Sequence, residues 1–121
     1  MGHTYSELTV LGLKSNHDLK NVLVDTGATY TSLPKELITE AEAIPVPNGG
    51  VTLELPNGIK VQGEAYAVML QIGDRKGPAI VVTYDNAPST IGVQTLEALG
   101  LKVNPVTEEL EETRPQGISY P

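Results

Sequence analysis

Hydrophobic positions along this chain recur mostly with period two, in short runs closed by glycine, proline, asparagine or aspartate. That is the punctuation of strands and turns, not the 3.6-residue stripe of a helix. Residues 4–13 (TYSELTVLGL) read as a strand of mixed alternation, with Leu8, Val10, Leu11 and Leu13 as core contributors. Lys14 to Lys20 read as a polar turn, and the strand Asn21–Val24 then ends on Asp25. The clearest hairpin signal is Val51-Thr52-Leu53-Glu54-Leu55, then Pro56-Asn57-Gly58, then Ile59-Lys60-Val61-Gln62. An Asn-Gly pair between alternating arms predicts a tight turn with both residues at positive φ. The second arm continues through Ala65–Ile72, Gly73–Gly77 turns, and Pro78–Tyr84 carries the apolar run Ala79-Ile80-Val81-Val82. Asp85–Ser89 reads as a loop.

Helical spacing is rarer. Ile91-Gly92 leads into Val93–Leu99, where Val93, Leu96 and Leu99 share a face and Gly100 closes the helix. The brief segment Lys35–Ala43 has Leu37, Ile38 and Ala41 at helical spacing, with Ser32 placed to cap it and Pro34 near its first turn. Ile44–Gly50 holds two prolines and two glycines, so regular structure is not expected there. Leu101–Asn104 reads as a strand that Pro105 breaks, and Val106–Leu110 as a last strand. The acidic run Glu108–Glu112 reads as a solvated face. The pattern predicts one mostly-β domain over residues 1–112 with one helix near its end, and a tail over 113–121.

Composition narrows this picture. At 121 residues the chain fits one domain, burying roughly two thirds of the surface its unfolded form exposes. There is no Phe and no Trp, so Val, Ile, Leu and Ala must fill the core, and the β-branched ones suit strands. A formal charge of −7, with no basic stripe, argues against a nucleic-acid partner. No cysteine is present, which excludes disulfides, thiolate metal sites and a thiol nucleophile. No apolar run approaches membrane-spanning length and nothing at the N-terminus reads as a secretory leader. No membrane partner is expected and a cytoplasmic setting is the default, although lack of cysteine also suits an exported or heat-adapted protein. His3 and His17 stand alone, without partners at ligand spacing, so neither a metal nor any other cofactor is expected. A phosphate-cradling glycine loop and a Gly-x-Ser-x-Gly elbow are both missing.

What remains is a carboxylate on display. Val22-Leu23-Val24 runs into Asp25-Thr26-Gly27-Ala28, so apolar packing holds an acid at the end of a strand. Gly27 lets the backbone turn sharply beside it, and Thr26 offers a hydroxyl. A strand-end Asp more often accepts backbone N–H bonds in a turn, and that structural role is the plain alternative.

VLVDTGATYTSLP, followed by a β-hairpin, a long returning strand and TIGVQTLEALGLKVNP, resembles the retropepsin-like aspartic proteases, most closely their single-domain prokaryotic versions. The likeness runs from about residue 20 to about residue 106, most of the chain. It implies an all-β acid-protease fold, a closed, small, barrel-like domain with a flap hairpin and one C-terminal helix, in which Ile91-Gly92 packs beside the acid loop. Asp25 then matches the catalytic acid, and Thr26 the residue whose hydroxyl locks the two active-site loops of a dimer. Gly27 matches the residue whose backbone meets substrate, and Ala28 its small neighbour. The hairpin Val51–Gln62 matches the flap over the bound peptide, with Leu53, Leu55, Asn57, Gly58 and Ile59 as its contact residues. Asp85–Pro88 falls where the family has a further substrate wall. Leu23, Leu53, Leu55 and Ile80 are expected to line the cleft, and Tyr30 lines a pocket or joins the core. This flap tip is less glycine-rich than is usual in the family. The chain also runs past Val103 through Pro105 into an acidic stretch, where viral relatives end in a short interleaved strand.

The chemistry of carboxylates makes this a statement about assembly. Peptide hydrolysis by carboxylates needs one acid ionised, to take a proton from water, and one protonated, to polarise the carbonyl. Two carboxylates about 4 Å apart repel by roughly 4 kcal/mol at an effective dielectric near 20, which separates their titrations by about three pK units. Between the two steps the pair shares one proton. One Asp-Thr-Gly stands in this chain, so the second acid has to come from a partner copy across a twofold axis. The expected function is an aspartic endopeptidase acting on peptide or protein as a homodimer. Its interface would use Leu101–Val103, Val106–Leu110 or helix faces. A non-catalytic peptide-binding or assembly module that keeps the fold is the competing expectation.

Overall fold

A computed structural model describes residues 2–115. Nine strands and two short helices follow one another among them: β1 (Thr4–Leu11), β2 (Asn16–Val24), β3 (Thr31–Ser32), α1 (Lys35–Glu40), β4 (Ile44–Glu54), β5 (Lys60–Ile72), β6 (Arg75–Thr83), β7 (Thr90–Ile91), α2 (Val93–Leu99), β8 (Leu101–Val103) and β9 (Leu110–Glu112). Seven strands form one mixed sheet in the order β1-β2-β7-β3-β6-β5-β4, and β1 also pairs with β5. The sheet therefore curls into a ring with β4 hanging from β5. It is not the closed barrel the resemblance implies, because β1 meets β5 over only Thr9–Leu11 and β3 and β7 are two residues long. β2–β7 and β3–β6 are parallel pairs and the other ladders antiparallel. β8 and β9 make a separate antiparallel ribbon.

Side chains of paired residues share a face, so the registers sort the sheet into two surfaces. Val24, Ile91, Thr31, Val81 and Tyr66 form one cross-strand row. Val24, Ile91 and Val81 belong to an aliphatic core with Leu8, Val10, Val22, Leu33, Leu70, Leu96 and Leu99. Leu23, Thr90, Ser32, Val82 and Ala65 form the next row, on the opposite face.

Several elements depart from the periodic reading, each for a local reason. β2 begins at Asn16, not Asn21, because a bulge interrupts it, with Asn21 at φ 54 and the pairing slipping between Ser6 and Leu8. Ile44–Gly50 is extended strand after all, paired at Pro45↔Tyr66 and Gly50↔Glu64, and Pro47, Asn48 (φ 56) and Gly49 fall in the bulge between those pairs. The segment 35–40 is a true second helix, so the single helix expected is two. Ser32 does not cap it: Pro34 is the N-cap and no side chain bonds there, while Ser32 Oγ donates to Pro88 O at 2.7 Å. The last strand is Leu110–Glu112, not Val106–Leu110.

The acidic run is accordingly structural in part. Arg75 is 3% exposed at the start of β6, in what reads as a turn, and donates to the C-terminal carbonyls of α2, Leu99 O at 2.9 Å and Gly100 O at 3.3 Å. It also bonds Glu112 Oε2 at 3.4 Å and Arg114 O. Glu111 accepts from Asn104 and pairs with Lys102, and these bonds, Asn104 first, hold its carboxyl below the usual glutamate range. Thr113 N reaches Gly100 O at 2.8 Å and the Arg114 guanidinium binds Glu97 O and Ala98 O, so the domain's packing continues past residue 112. The rest of the expected tail, 116–121, lies outside the described residues. No helix among those described is long and apolar enough to cross a membrane.

Candidate active site

β2 places Asp25. Val22 and Val24 are sunk into the core, and Val24 pairs in parallel with Ile91 of β7. The next rung is a single bond, Asp25 N to Ile91 O at 2.8 Å, after which the chain turns. Within the turn Gly27 N donates to Asp25 Oδ1 at 3.0 Å and Ala28 N to Asp25 O at 3.1 Å. Asp25 is half-buried and Thr26 and Gly27 are exposed. No described cation lies within ion-pairing distance of Asp25, and its Oδ2 accepts no hydrogen bond from a described residue. The site thus holds one carboxylate oxygen by a backbone amide and leaves the other unclaimed.

α2 grips the same loop from behind. Its N-cap is Gly92, which has no side chain to satisfy the open N–H groups of the first turn. The acid loop supplies the acceptors instead: Val93 N donates to Ala28 O at 2.9 Å and Gln94 N to Thr29 O at 2.8 Å. This requires close approach, and only glycine permits it, since a Cβ on Gly92 would lie 2.4 Å from the Tyr30 carbonyl carbon and 2.6 Å from its oxygen. Asp25, Gly27, Ala28, Ile91 and Gly92, singled out from sequence, are one hydrogen-bonded unit. Thr26 has no described side-chain bond.

Beneath the unit lies a set of buried and half-buried polar side chains whose partners periodicity does not mark. Thr31 Oγ1 accepts from Gly92 N at 3.1 Å and sits 2.6 Å from Thr95 Oγ1, both residues being fully buried. Ser32 Oγ, donating to Pro88 O, accepts from Thr90 Oγ1 at 2.9 Å. Gln94 Oε1 accepts from Ile80 N at 3.0 Å. The only sign of this in the sequence is the density of Thr and Ser just after the acid, a pattern equally suited to an exposed turn.

The expected flap is the β4–β5 hairpin. Its first arm alternates half-buried Val51, Leu53 and Leu55 on one face with exposed Thr52 and Glu54 on the other. Its tip is not the two-residue turn expected. Leu55 O accepts from Gly58 N and Leu55 N donates to Ile59 O, each at 2.8 Å, around a three-residue loop. Gly58 alone has positive φ, at 84°, while the Asn57 side chain accepts from Ile59 N at 3.0 Å. This is a type I turn closed by a left-handed glycine, the geometry that Pro56 at the first corner favours. β4 packs against β5, and no hydrogen bond among the described residues joins the tip to the Asp25 loop. Ile59 is 57% exposed.

Of the cleft-lining residues, Leu23 and Ile80 are half-buried on the sheet face away from the core, and the pairing Leu53↔Val61 puts Leu53 on that face of β5. Tyr30 is 40% exposed and so does not join the core. The loop at 85–88 borders a polar pocket of about 290 Å³ lined by Pro34, Lys35, Glu36, Tyr84, Asp85, Asn86 and Ala87, and Asp25 is not among its walls. Lys35 bonds Asp85 at 3.1 Å, which holds its ammonium above the usual lysine range. His17 is not isolated: its ring lies 3.8 Å from Glu40 Oε2 and 3.3 Å from Ser15 Oγ, tying β2 to α1. His3 meets Tyr5 edge-on. Among the described residues no group of three or more His, Asp or Glu is arranged to hold a metal ion. Compared with models of known families and with curated proteins, the chain matches none.

Proposed function

We propose that this protein is an aspartic endopeptidase of retropepsin-like fold, acting as a homodimer in the cytoplasm on peptide or protein substrates. The observation that carries the reading is the clamp on Asp25. An acid at a strand end is locked from a distant element by Asp25 N–Ile91 O, Val93 N–Ala28 O and Gln94 N–Thr29 O, with one oxygen unclaimed by any described residue. A carboxylate on a backbone held this firmly, with no cation among the described residues to neutralise it, suits proton transfer to and from a water molecule. In the dimer the Asp25 carboxylates of two copies share one proton. The ionised member takes a proton from water, the oxygen attacks the peptide carbonyl, and the protonated member hydrogen-bonds the carbonyl oxygen. Collapse of the tetrahedral intermediate returns a proton to the leaving nitrogen, with no covalent intermediate. The β4–β5 hairpin closes over the substrate as a flap.

One observation favours a second reading. The 3.0 Å bond from Gly27 N to Asp25 Oδ1 is an Asx turn, the ordinary structural task of such a residue. On that reading the domain binds peptide or assembles without cleaving. Peptide cleavage by wild type and Asp25→Asn across mildly acid to neutral pH separates the two, with sedimentation to verify the dimer and a statine-type peptide as transition-state mimic. The peptidase reading expects cleavage and mimic binding by wild type and none by a still dimeric Asp25→Asn protein. Turnover by the variant would sink it.

A further inference from the structure

We infer that Thr31 is a positioning residue for Asp25, acting through the peptide plane between Ile91 and Gly92, and that Thr95 holds Thr31 in that role. The carbonyl of Ile91 and the N–H of Gly92 belong to one planar amide and point in opposite directions. At one end Ile91 O accepts from Asp25 N at 2.8 Å. At the other Gly92 N donates to Thr31 Oγ1 at 3.1 Å. A rotation of this plane cannot move one end without the other, so the Thr31 hydroxyl fixes the acceptor from which the Asp25 backbone hangs.

Thr31 is itself over-determined. It lies in β3, which pairs in parallel with β6 at Thr31↔Val81 and antiparallel with β7 at Ser32↔Thr90. A two-residue strand has few ladder bonds, and here both of its side chains bond as well. The Thr31 hydroxyl, fully buried, meets Thr95 Oγ1 of α2 at 2.6 Å. Water does not compete for these groups, and a valine in either place would fill the space while leaving a buried donor without its acceptor. The chain of contacts Thr95–Thr31–amide plane–Asp25 joins the helix that clamps the acid loop to the acid itself.

The geometry stands on its own, while its consequence for rate rests on the peptidase reading, and the experiment separates the two. Thr31→Val, Thr31→Ser and Thr95→Val are compared with wild type for amide hydrogen exchange at Asp25 and Gly92, for kcat and KM, and for Tm. Thr31→Val is expected to raise exchange at both amides by about tenfold or more and to lower kcat by about 10–100-fold with KM within about twofold, the signature of a misplaced reacting group. Thr95→Val is expected to follow in the same direction and less far. Thr31→Ser keeps the hydroxyl and loses only a methyl, so it is expected to retain protection and kcat even where its Tm falls. Unchanged exchange at Asp25 in Thr31→Val, or a Thr31→Ser protein as impaired as Thr31→Val, overturns the inference. If the exchange pattern holds while wild type cleaves no peptide, the positioning role stands and the peptidase reading falls.

Discussion

Gly92→Ala puts the clamp under direct strain. The residue has φ −95° and ψ 173°, which any amino acid can adopt, so the backbone conformation itself carries no penalty. The obstacle is space: the new methyl would stand 2.4 Å from Tyr30 C, 2.6 Å from Tyr30 O and 2.9 Å from Thr29 C, all of them backbone. Relief requires α2 to part from the acid loop. Overpacking of this kind costs about 1–3 kcal/mol, and each loop–helix hydrogen bond that lengthens adds about 1 kcal/mol. With two or three such bonds at stake, the expected loss is about 3–6 kcal/mol, or a fall in Tm of roughly 10–25 °C for a domain of this size. Gly50→Ala serves as the control, because nothing lies within 4 Å of a Cβ there, and it is expected to stay within about 0.5 kcal/mol of wild type. Thermal unfolding by circular dichroism reads the stability, and peptide turnover below the new Tm reads the site, with kcat expected to fall by about a hundredfold. A Gly92→Ala protein with the Tm and turnover of the Gly50→Ala control would refute the claim that close approach of α2 sets the acid loop.

Gly58→Ala tests the hairpin tip: at φ 84° with open space around it the cost is conformational, about 1 kcal/mol by urea unfolding, and an unchanged midpoint would contradict the left-handed turn. Arg75→Met removes the guanidinium that gathers Leu99 O, Gly100 O, Glu112 and Arg114 O, and is expected to cost about 2–4 kcal/mol in chemical denaturation. Glu112→Gln, altering an acid whose side chain is 66% exposed, is expected to cost less than about 1 kcal/mol, and equal losses would contradict the network. Glu111 is held below the usual glutamate range, so its contribution is present above its unfolded pKa and fades as pH falls through its lower folded value. Wild type is therefore expected to exceed Glu111→Gln in stability near pH 7 and to converge with it near pH 3, as denaturant midpoints at the two pH values would show.

Much of the fold is written in side-chain periodicity, and the failures occur where periodicity is locally broken. Val22-Leu23-Val24-Asp25 and the pair Ile91-Gly92 are visible because an aliphatic run must end somewhere, and what it ends on is conspicuous. The first half of β2 is hidden because the bulge at Asn21 shifts the alternation by one residue, turning a strand into an apparent turn. β4 is masked in the same way by the bulge at Asn48 and by Pro47, which sits in that unpaired stretch. Arg75 between Asp74 and Lys76 looks like turn chemistry, and only the fold reveals that the end of α2 and the strand β9 converge on it. Thr31 and Thr95 are far apart in sequence, and a hydroxyl pair across that separation leaves no mark in either local pattern. The backbone grip on Asp25 is legible as a motif, but the hydroxyls that hold the grip are legible only in three dimensions.

On the proposed peptidase reading, each catalytic centre takes one Asp25 from each of two chains. Wild type and Asp25→Asn protein, mixed in varying proportion and allowed to exchange subunits, test it directly. If each site needs both acids, cleavage falls as the square of the wild-type fraction, so an equal mixture at constant total protein keeps about a quarter of the activity. Activity in simple proportion to the wild-type fraction, or any cleavage by Asp25→Asn alone, would contradict it.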